Sequence, residues 1–206
     1  MIVEIVSTGT ELLLGQIVNT NAPYLARKLN ELGFDAVYQT TVGDNRRRMA
    51  SVFSIALDRA DIVITSGGLG PTQGDITKEV SAELLGRDLN LHEPSVEHIQ
   101  AFFKRRHLTM TNNNLRQAMM PTGAIVVTNH RGTAPGVIIE HDKKTIIHLP
   151  GPPAELEHMF EHSILPYLTK RFGGQGIIVS KVLRTFGIGE SILEERIRHF
   201  ILAQKN

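Results

Sequence analysis

Residues 61–77 read DIVITSGGLGPTQGDIT. The first six, 61–66, are short, apolar and partly β-branched, which predicts a buried strand. Gly67, Gly68, Gly70 and Gly74 then leave the backbone almost bare, and a helix is expected to begin near Asp75. A strand, an uncovered backbone and a helix start in succession make an anion site, because unpaired N–H groups point at whatever lies over the loop. A tight strand-to-helix turn that needs glycine for its dihedrals would leave the same pattern. No lysine follows the glycines, so this is not a Walker loop, and G-x-G-x-x-G is absent too.

Working outward, the same alternation recurs. Residues 2–6, IVEIV, predict a strand. Residues 19–33 predict a helix, with Asn19, Thr20 and Asn21 as capping types, Leu25, Leu29 and Leu32 on one face and Gly33 as its stop. Residues 34–42 form the next strand, and GDNRRRMASVFSIALDRA a second helix capped by Asp44 or Asn45. The order β-α-β-α-β-α argues for a parallel sheet covered by helices. Residues 94–120 look helical and irregular. GAIVVT, APGVIIE and KTIIHLP are three short strands, the last two paired across His141–Lys144, and residues 150–172 are a helix opened by prolines. FGGQG, 172–176, is the expected boundary between a domain over 1–172 and a tail over 176–206. The tail carries one strand, IIVSKVL, and one helix, ESILEERIRHFIL, which is less than the roughly 40 residues that independent folding usually needs.

Composition narrows the function. The 206 residues hold no cysteine, which excludes a disulfide scaffold, a thiolate nucleophile and a zinc–cysteine site, and fits a reducing cytoplasm. With 22 basic and 21 acidic residues the net charge is +1, so nothing global steers the chain toward nucleic acid or a membrane. FFKRRH, 102–107, is a single basic cluster and reads as a solvated helix face. The histidines lack metal-binding spacing, His148 reads as a structural strand residue, and no G-x-S-x-G elbow supports a serine esterase. No stretch approaches the roughly 20 apolar residues of a membrane span.

Ligands of an open parallel sheet bind beyond the carboxyl ends of its strands, so the loops after residues 6, 42, 66 and 149 hold the candidates. In the glycine loop, Thr72 and Thr77 offer hydroxyls. Asp75 is either the cap of the following helix or a ligand for a divalent cation, which would let a carboxylate sit beside a phosphate. Glu11, in an otherwise apolar stretch, is either solvated or part of the site. Asn19, Asn21 and Asp44 are most simply helix caps, and Arg46, Arg47 and Arg48 a solvated face. In LPGPPAE, Pro152 and Pro153 pre-set a first helical turn whose N–H groups could hold an anion.

STGTELLLGQIVNTN, VGDNR, SGGLGPTQGDITKE, GTAPG, LPGPPAE and RTFGIGES, in this order over nearly the whole chain, resemble the amino-terminal part of the CinA competence/damage-inducible family, within the MoaB/Mog-like molybdopterin-binding domain superfamily. The resemblance implies a three-layer α/β/α domain with a mostly parallel sheet, an oligomer of identical chains, and a βα tail that is an incomplete KH-like unit. The deamidase domain that follows in the family has no counterpart here. It also implies a small-molecule nucleotide or pterin phosphate as ligand and a divalent metal cation as cofactor. The implied activity is cleavage of ADP-ribose to AMP and ribose 5-phosphate, and the alternative is a binder without catalysis. On this resemblance the site comprises Asp75 and Glu11 as catalytic groups, Asp75 also as metal ligand, and Gly67, Gly68, Gly70, Thr72, Thr77, Asn19, Asn21, Asp44 and Gly151 around the phosphate. Family members usually carry two consecutive acids where this chain has Gly74 and Asp75, which puts catalysis in doubt more than binding.

Overall fold

The computed structural model describes residues 1–173 and 183–203. β1 (Ile2–Thr8) leads through a one-turn helix, α1 (Thr10–Leu13), to α2 (Asn21–Glu31), β2 (Asp35–Val42), α3 (Arg46–Arg59) and β3 (Ile62–Ser66). α4 (Thr77–Leu84), β4 (Leu89–Leu91), α5 (Glu93–Arg105), a 3₁₀ segment (Asn112–Ala118) and β5 (Met119–Pro121) follow. β6 (Ile125–Val127), β7 (Gly136–His141) and β8 (Lys144–Leu149) complete the strands. Six of them form one sheet in the order β2-β1-β3-β8-β7-β6. The neighbours from β2 to β8 run parallel, and β7 turns back against β8 as the expected hairpin, with Asp142 at φ 52° in its turn.

Alternation along each strand splits the apolar residues between two faces. Val3, Ile5, Ile62, Ile64, Ile147 and Leu149 meet Leu25 and Leu29 of α2 and Leu156, Phe160 and Leu168 from the helical stretch 153–172 on one side. Val6, Val63, Val137, Ile139 and Ile146 meet Met49 and Phe53 of α3 and Val80 of α4 on the other. The expectation of three α/β/α layers around a mostly parallel sheet is met, with β7 antiparallel to both of its neighbours, β8 and β6. Glu4, inside the first apolar run, is fully buried and bonds Arg59 through both carboxylate oxygens at 2.8 Å each.

Several expectations need correction. The helix near Asp75 begins two residues later, at Thr77. Met119 and Met120, read as helical, pair as β5 with β4 in a separate two-stranded sheet. The helix over 150–172 is α6 (Pro153–Met159), a π-helical turn (Phe160–Ile164) and α7 (Leu165–Phe172). Pro166 lacks an N–H for the ordinary ladder, and a wider turn just before it is the usual accommodation. The strand expected over IIVSKVL lies outside the described residues except for Leu183, and so does most of the FGGQG boundary. α8 (Glu190–Leu202) forms as expected and buries none of its residues. Among the described residues no helix is long and apolar enough to cross a membrane.

Candidate functional site

The ends of β1, β3 and β8 lie side by side, paired through Ser7–Ser66 and Ser66–Leu149, so the chain leaves the sheet there in three adjacent loops. Between them is a cleft of about 440 Å³. Thr8, Glu11 and Asp44 stand on one side, Gly67–Gly70, Thr72, Gly74 and Asp75 form the floor, and Gly151, Pro152 and Glu155 close it with Gln117 and Thr133. The position matches the rule for open α/β sheets.

The glycines are there first for packing. Gly67 (φ 105°) and Gly68 (φ 68°) adopt left-handed backbone. A Cβ on Gly67 would lie 2.5 Å from the Thr8 carbonyl oxygen. On Gly68 it would collide with Thr77 Oγ1, and on Gly70 it would sit 2.6 Å from Asp75 Oδ2. Gly151 passes so close that its Cβ would be 3.6 Å from Gly67 Cα. This close approach uses up few backbone donors. Gly67 N–H donates to Leu149 O, but the N–H groups of Gly68, Leu69 and Gly70 find no acceptor among the described residues. Three consecutive backbone donors without an acceptor, lining one cleft, are the kind of group that can bond an anion.

Four carboxylates rim this cleft. Asp75 Oδ2 accepts from Thr72 N (2.8 Å) and Thr72 Oγ1 (2.6 Å), so Asp75 closes its own loop and does not cap α4. Asp44 Oδ2 accepts from Thr10 N (3.1 Å) and Thr10 Oγ1 (2.9 Å), and Asn45 is the residue that caps α3. Glu11 projects from α1 beside Gly9, whose missing Cβ leaves it room. Glu155 is held by Asn129 Nδ2. Gly74 faces Asp44, with its would-be Cβ 3.4 Å from Asp44 Cβ. Among the described residues no three His, Asp or Glu side chains converge on one point to cage an ion. A cation that takes one or two carboxylates and completes its shell with phosphate oxygens and water, as Mg²⁺ usually does, suits this rim.

Thr72 lines the cleft, but Thr77 does not. Its hydroxyl is buried, donates to Gly67 O (3.1 Å) and touches Thr8 Oγ1 (3.5 Å), so its role is to hold the loop. Asn19 accepts from Ala22 N (3.1 Å) as a cap and also donates to Ser7 Oγ (2.8 Å). Asn21 does not cap. Its Nδ2 donates to Ser66 Oγ and Gly151 O, both at 2.7 Å, pinning the third loop to the end of β3. The two asparagines line an adjoining cleft of about 340 Å³, walled by Ile17 and Val18, that shares Thr8, Glu11 and Gly151 with the first.

Sequence reasoning missed Gln117, Thr133 and Glu155. Gln117 Nε2 donates to Thr133 Oγ1 (3.1 Å) across the far wall, a pairing that no local motif signals. Glu155 lay in view within LPGPPAE. The supports behind the floor were also missed. Arg116 donates to Thr72 O (2.7 Å) and Asp75 O (3.2 Å) and pairs with Glu79 (3.1 Å), which fixes the glycine loop from below. Lys78 is buried and donates to Gln117 O (2.8 Å) and Arg116 O (3.2 Å), and its burial pushes the amine down to about 8. His148 is fully buried, as expected of a structural residue. Its Nδ1 bonds Thr65 Oγ1 (2.8 Å), and burial lowers its pKa to about 3.

The fold and this cleft have relatives. The family described as probable molybdopterin binding domain matches residues 4–170. A CinA-like protein of Dictyoglomus turgidum is 52% identical over 203 residues, 98% of this chain and 49% of the relative. A putative competence-damage inducible protein of Clostridium beijerinckii is 51% identical with the same coverage. The chain therefore spans about half the length of the curated relatives it matches. Among solved structures, the protein CinA of Thermoplasma acidophilum superposes with a TM-score of 0.74 at 32% identity, over 80% of this chain and 96% of that one. The molybdopterin biosynthesis enzyme MoaB of Thermus thermophilus shares the fold, with a TM-score of 0.56 at 20% identity over 82% of this chain and 92% of that one. The chain belongs to the molybdopterin-binding-domain family and, within it, to the CinA-like proteins.

Proposed function

We propose that the chain holds the diphosphate of a nucleotide over residues 67–75 and cleaves it, taking ADP-ribose and water to AMP and ribose 5-phosphate. The observation that carries this reading is the run of free N–H groups at Gly68, Leu69 and Gly70 in a cleft that four carboxylates also line. The N–H groups bind phosphate oxygens without the charge of a lysine and are fixed before the ligand arrives, which is the condition for electrostatic stabilisation of a phosphoryl transition state. Asp75, with Oδ1 outside the Thr72 bonds, and Glu11 are the groups that would hold a divalent cation against those oxygens. When bound, such a cation polarises phosphorus and acidifies a water. Thr72 and Arg116 keep Asp75 and its loop in place, and Asn21 holds Gly151 over the floor.

A second reading, a pterin- or nucleotide-phosphate binder without catalysis, is favoured by Gly74. It faces Asp44 and brings no second carboxylate beside Asp75. The test is AMP release from ADP-ribose with Mg²⁺ or Mn²⁺, by chromatography, in the wild type and in Asp75→Asn. Asparagine keeps an acceptor for Thr72 and removes the charge. Turnover is expected to fall by about 100-fold or more while ADP-ribose still binds. Undiminished turnover in Asp75→Asn overturns the role of Asp75, and binding with no metal-dependent turnover in the wild type selects the second reading.

A further inference from the structure

The basic residues of FFKRRH are exposed, as a solvated helix face should be, and two of them also line a cleft. The end of α5 brings Phe102, Arg105 and Arg106 against His130 and Arg131 of the loop after β6, around a separate cleft of about 620 Å³. Pro152 and Glu155 line both this cleft and the glycine-loop cleft, so the two share one wall. Among the described residues none of the three arginines is ion-paired. Arg106 is stacked over the Phe102 ring at 4.2 Å, which orients its guanidinium without using its donors. Arg105 spends one weak bond, 3.3 Å, on Ala101 O of its own helix. Glu155, the acid on the shared wall, is already engaged by Asn129. Three guanidinium groups against the one carboxylate of Glu155 are thus collected around a single cleft, in a chain whose net charge is +1.

We propose that this second cleft receives a phosphate monoester carried on the sugar of the same nucleotide whose diphosphate lies over the glycine loop. The inference rests on the diphosphate reading of that loop and names the substrate class more narrowly, as a nucleotide diphosphate bearing an additional phosphate. Guanidinium forks match the oxygens of a tetrahedral dianion, and several together bind it better than they bind a single carboxylate. A nucleic-acid backbone would need a basic stripe that tracks successive phosphates. Here the guanidinium groups gather in one cleft, which shares Pro152 and Glu155 with the glycine-loop cleft.

Calorimetric titration of two ligand pairs tests this: ADP-ribose against its 2′-phosphate, and dephospho-coenzyme A against coenzyme A. In at least one pair the extra phosphate should tighten binding by about ten-fold at low salt, the scale of one charge-assisted hydrogen bond, and by less as salt rises. In the double variant Arg106→Ala/Arg131→Ala the gain should vanish, while affinity for the unphosphorylated partner stays within about two-fold. Both side chains are exposed, so the unfolding midpoint of the variant should match the wild type. Binding of the unphosphorylated ligands with no gain in either pair overturns the inference and leaves the glycine-loop reading standing. A gain that survives the double variant also overturns it. If none of the four ligands binds the wild type, the glycine-loop reading itself fails and the second subsite falls with it.

Discussion

Gly68→Ala tests whether the bare backbone of the central loop exists for packing. Gly68 has φ 68°, where a residue with a side chain loses about 1 kcal/mol. The added Cβ collides with Thr77 Oγ1 and comes within 3.1 Å of both Thr77 Cβ and Thr8 Oγ1. Thr77 is fully buried under the loop and cannot swing into solvent. It must rotate away from Gly67 O, leaving a buried carbonyl and hydroxyl unsatisfied, which costs about 2 kcal/mol more. The sum, about 3 kcal/mol, corresponds to a fall of about 6–12 °C in the midpoint for a chain of this size. Chemical denaturation of wild type, Gly68→Ala, Thr77→Ala and the double variant separates the two terms. Thr77→Ala removes the obstructing oxygen, so the double variant should be more stable than additivity predicts by about 1–2 kcal/mol. A Gly68→Ala loss within about 0.5 kcal/mol, the range of an ordinary surface change, or a strictly additive cycle would refute the packing argument.

Two further predictions concern charge. His148 keeps its neutral imidazole in the folded state down to about pH 3, against about 6.5 when unfolded, because burial disfavours the cation and Lys78 adds to the effect. The unfolded chain therefore takes up the proton first, so the stability that neutral His148 confers is whole above pH 6.5 and lost as pH falls toward 3, at up to about 1.4 kcal/mol per pH unit. NMR of the ring should show no titration between pH 7 and 4.5, and a midpoint near 6 would contradict it. Gly74→Asp should fold, since the new Cβ meets Asp44 Cβ at an ordinary 3.4 Å and no left-handed φ is involved. It sets a second carboxylate beside Asp44, so Mg²⁺ or Mn²⁺ should stabilise it more than wild type, by up to about 2.7 kcal/mol at a hundred-fold excess over Kd, read as a larger rise in melting temperature. Equal metal shifts in the two proteins would show that position 74 does not complete a cation site.

What could be read from sequence follows the range over which each feature is decided. Val3, Ile5 and Val6, or Ile62, Val63 and Ile64, announce two buried faces by local alternation, and the sheet and its covering helices follow from that period. The π-helical turn at Phe160–Ile164 was open in principle to the same reasoning, because Pro166 is visible, although the sequence alone does not say on which side of it the ladder widens. β4 and β5 are three residues each and owe their pairing to the fold around them. At the site the competition is between partners a few ångströms apart. Asp75 could cap a helix or close a loop, and Thr72 decides it. Asn21 could cap α2, but Gly151, 130 residues away, takes its amide. The basic residues of FFKRRH are exposed, as read, and what the pattern could not show is that the loop bearing His130 and Arg131, about 25 residues later, makes a cleft with that face.

The glycine loop shows why its two readings could not be separated by pattern. Glycine at 67, 68 and 70 is required because Thr8, Thr77 and Asp75 press against the loop, which is the tight-turn explanation. On the same turn the carbonyls of Ser66 and Gly67 accept from the hydroxyls of Thr8 and Thr77, while the N–H groups of Gly68, Leu69 and Gly70 have no acceptor among the described residues. Close packing of the side chains and free backbone donors thus occur on one turn, so the structural reading and the proposed function do not exclude one another. They differ in what they ask of the acids around it: packing needs Asp75 alone, to hold Thr72, whereas cleavage needs charge at Glu11, Asp44 or position 74 as well. The experiments on Gly68 and on Gly74 therefore address different questions. The first perturbs the inner face and reads stability, and the second perturbs the rim and reads metal binding, so a loss in one with no change in the other would assign each residue to its face.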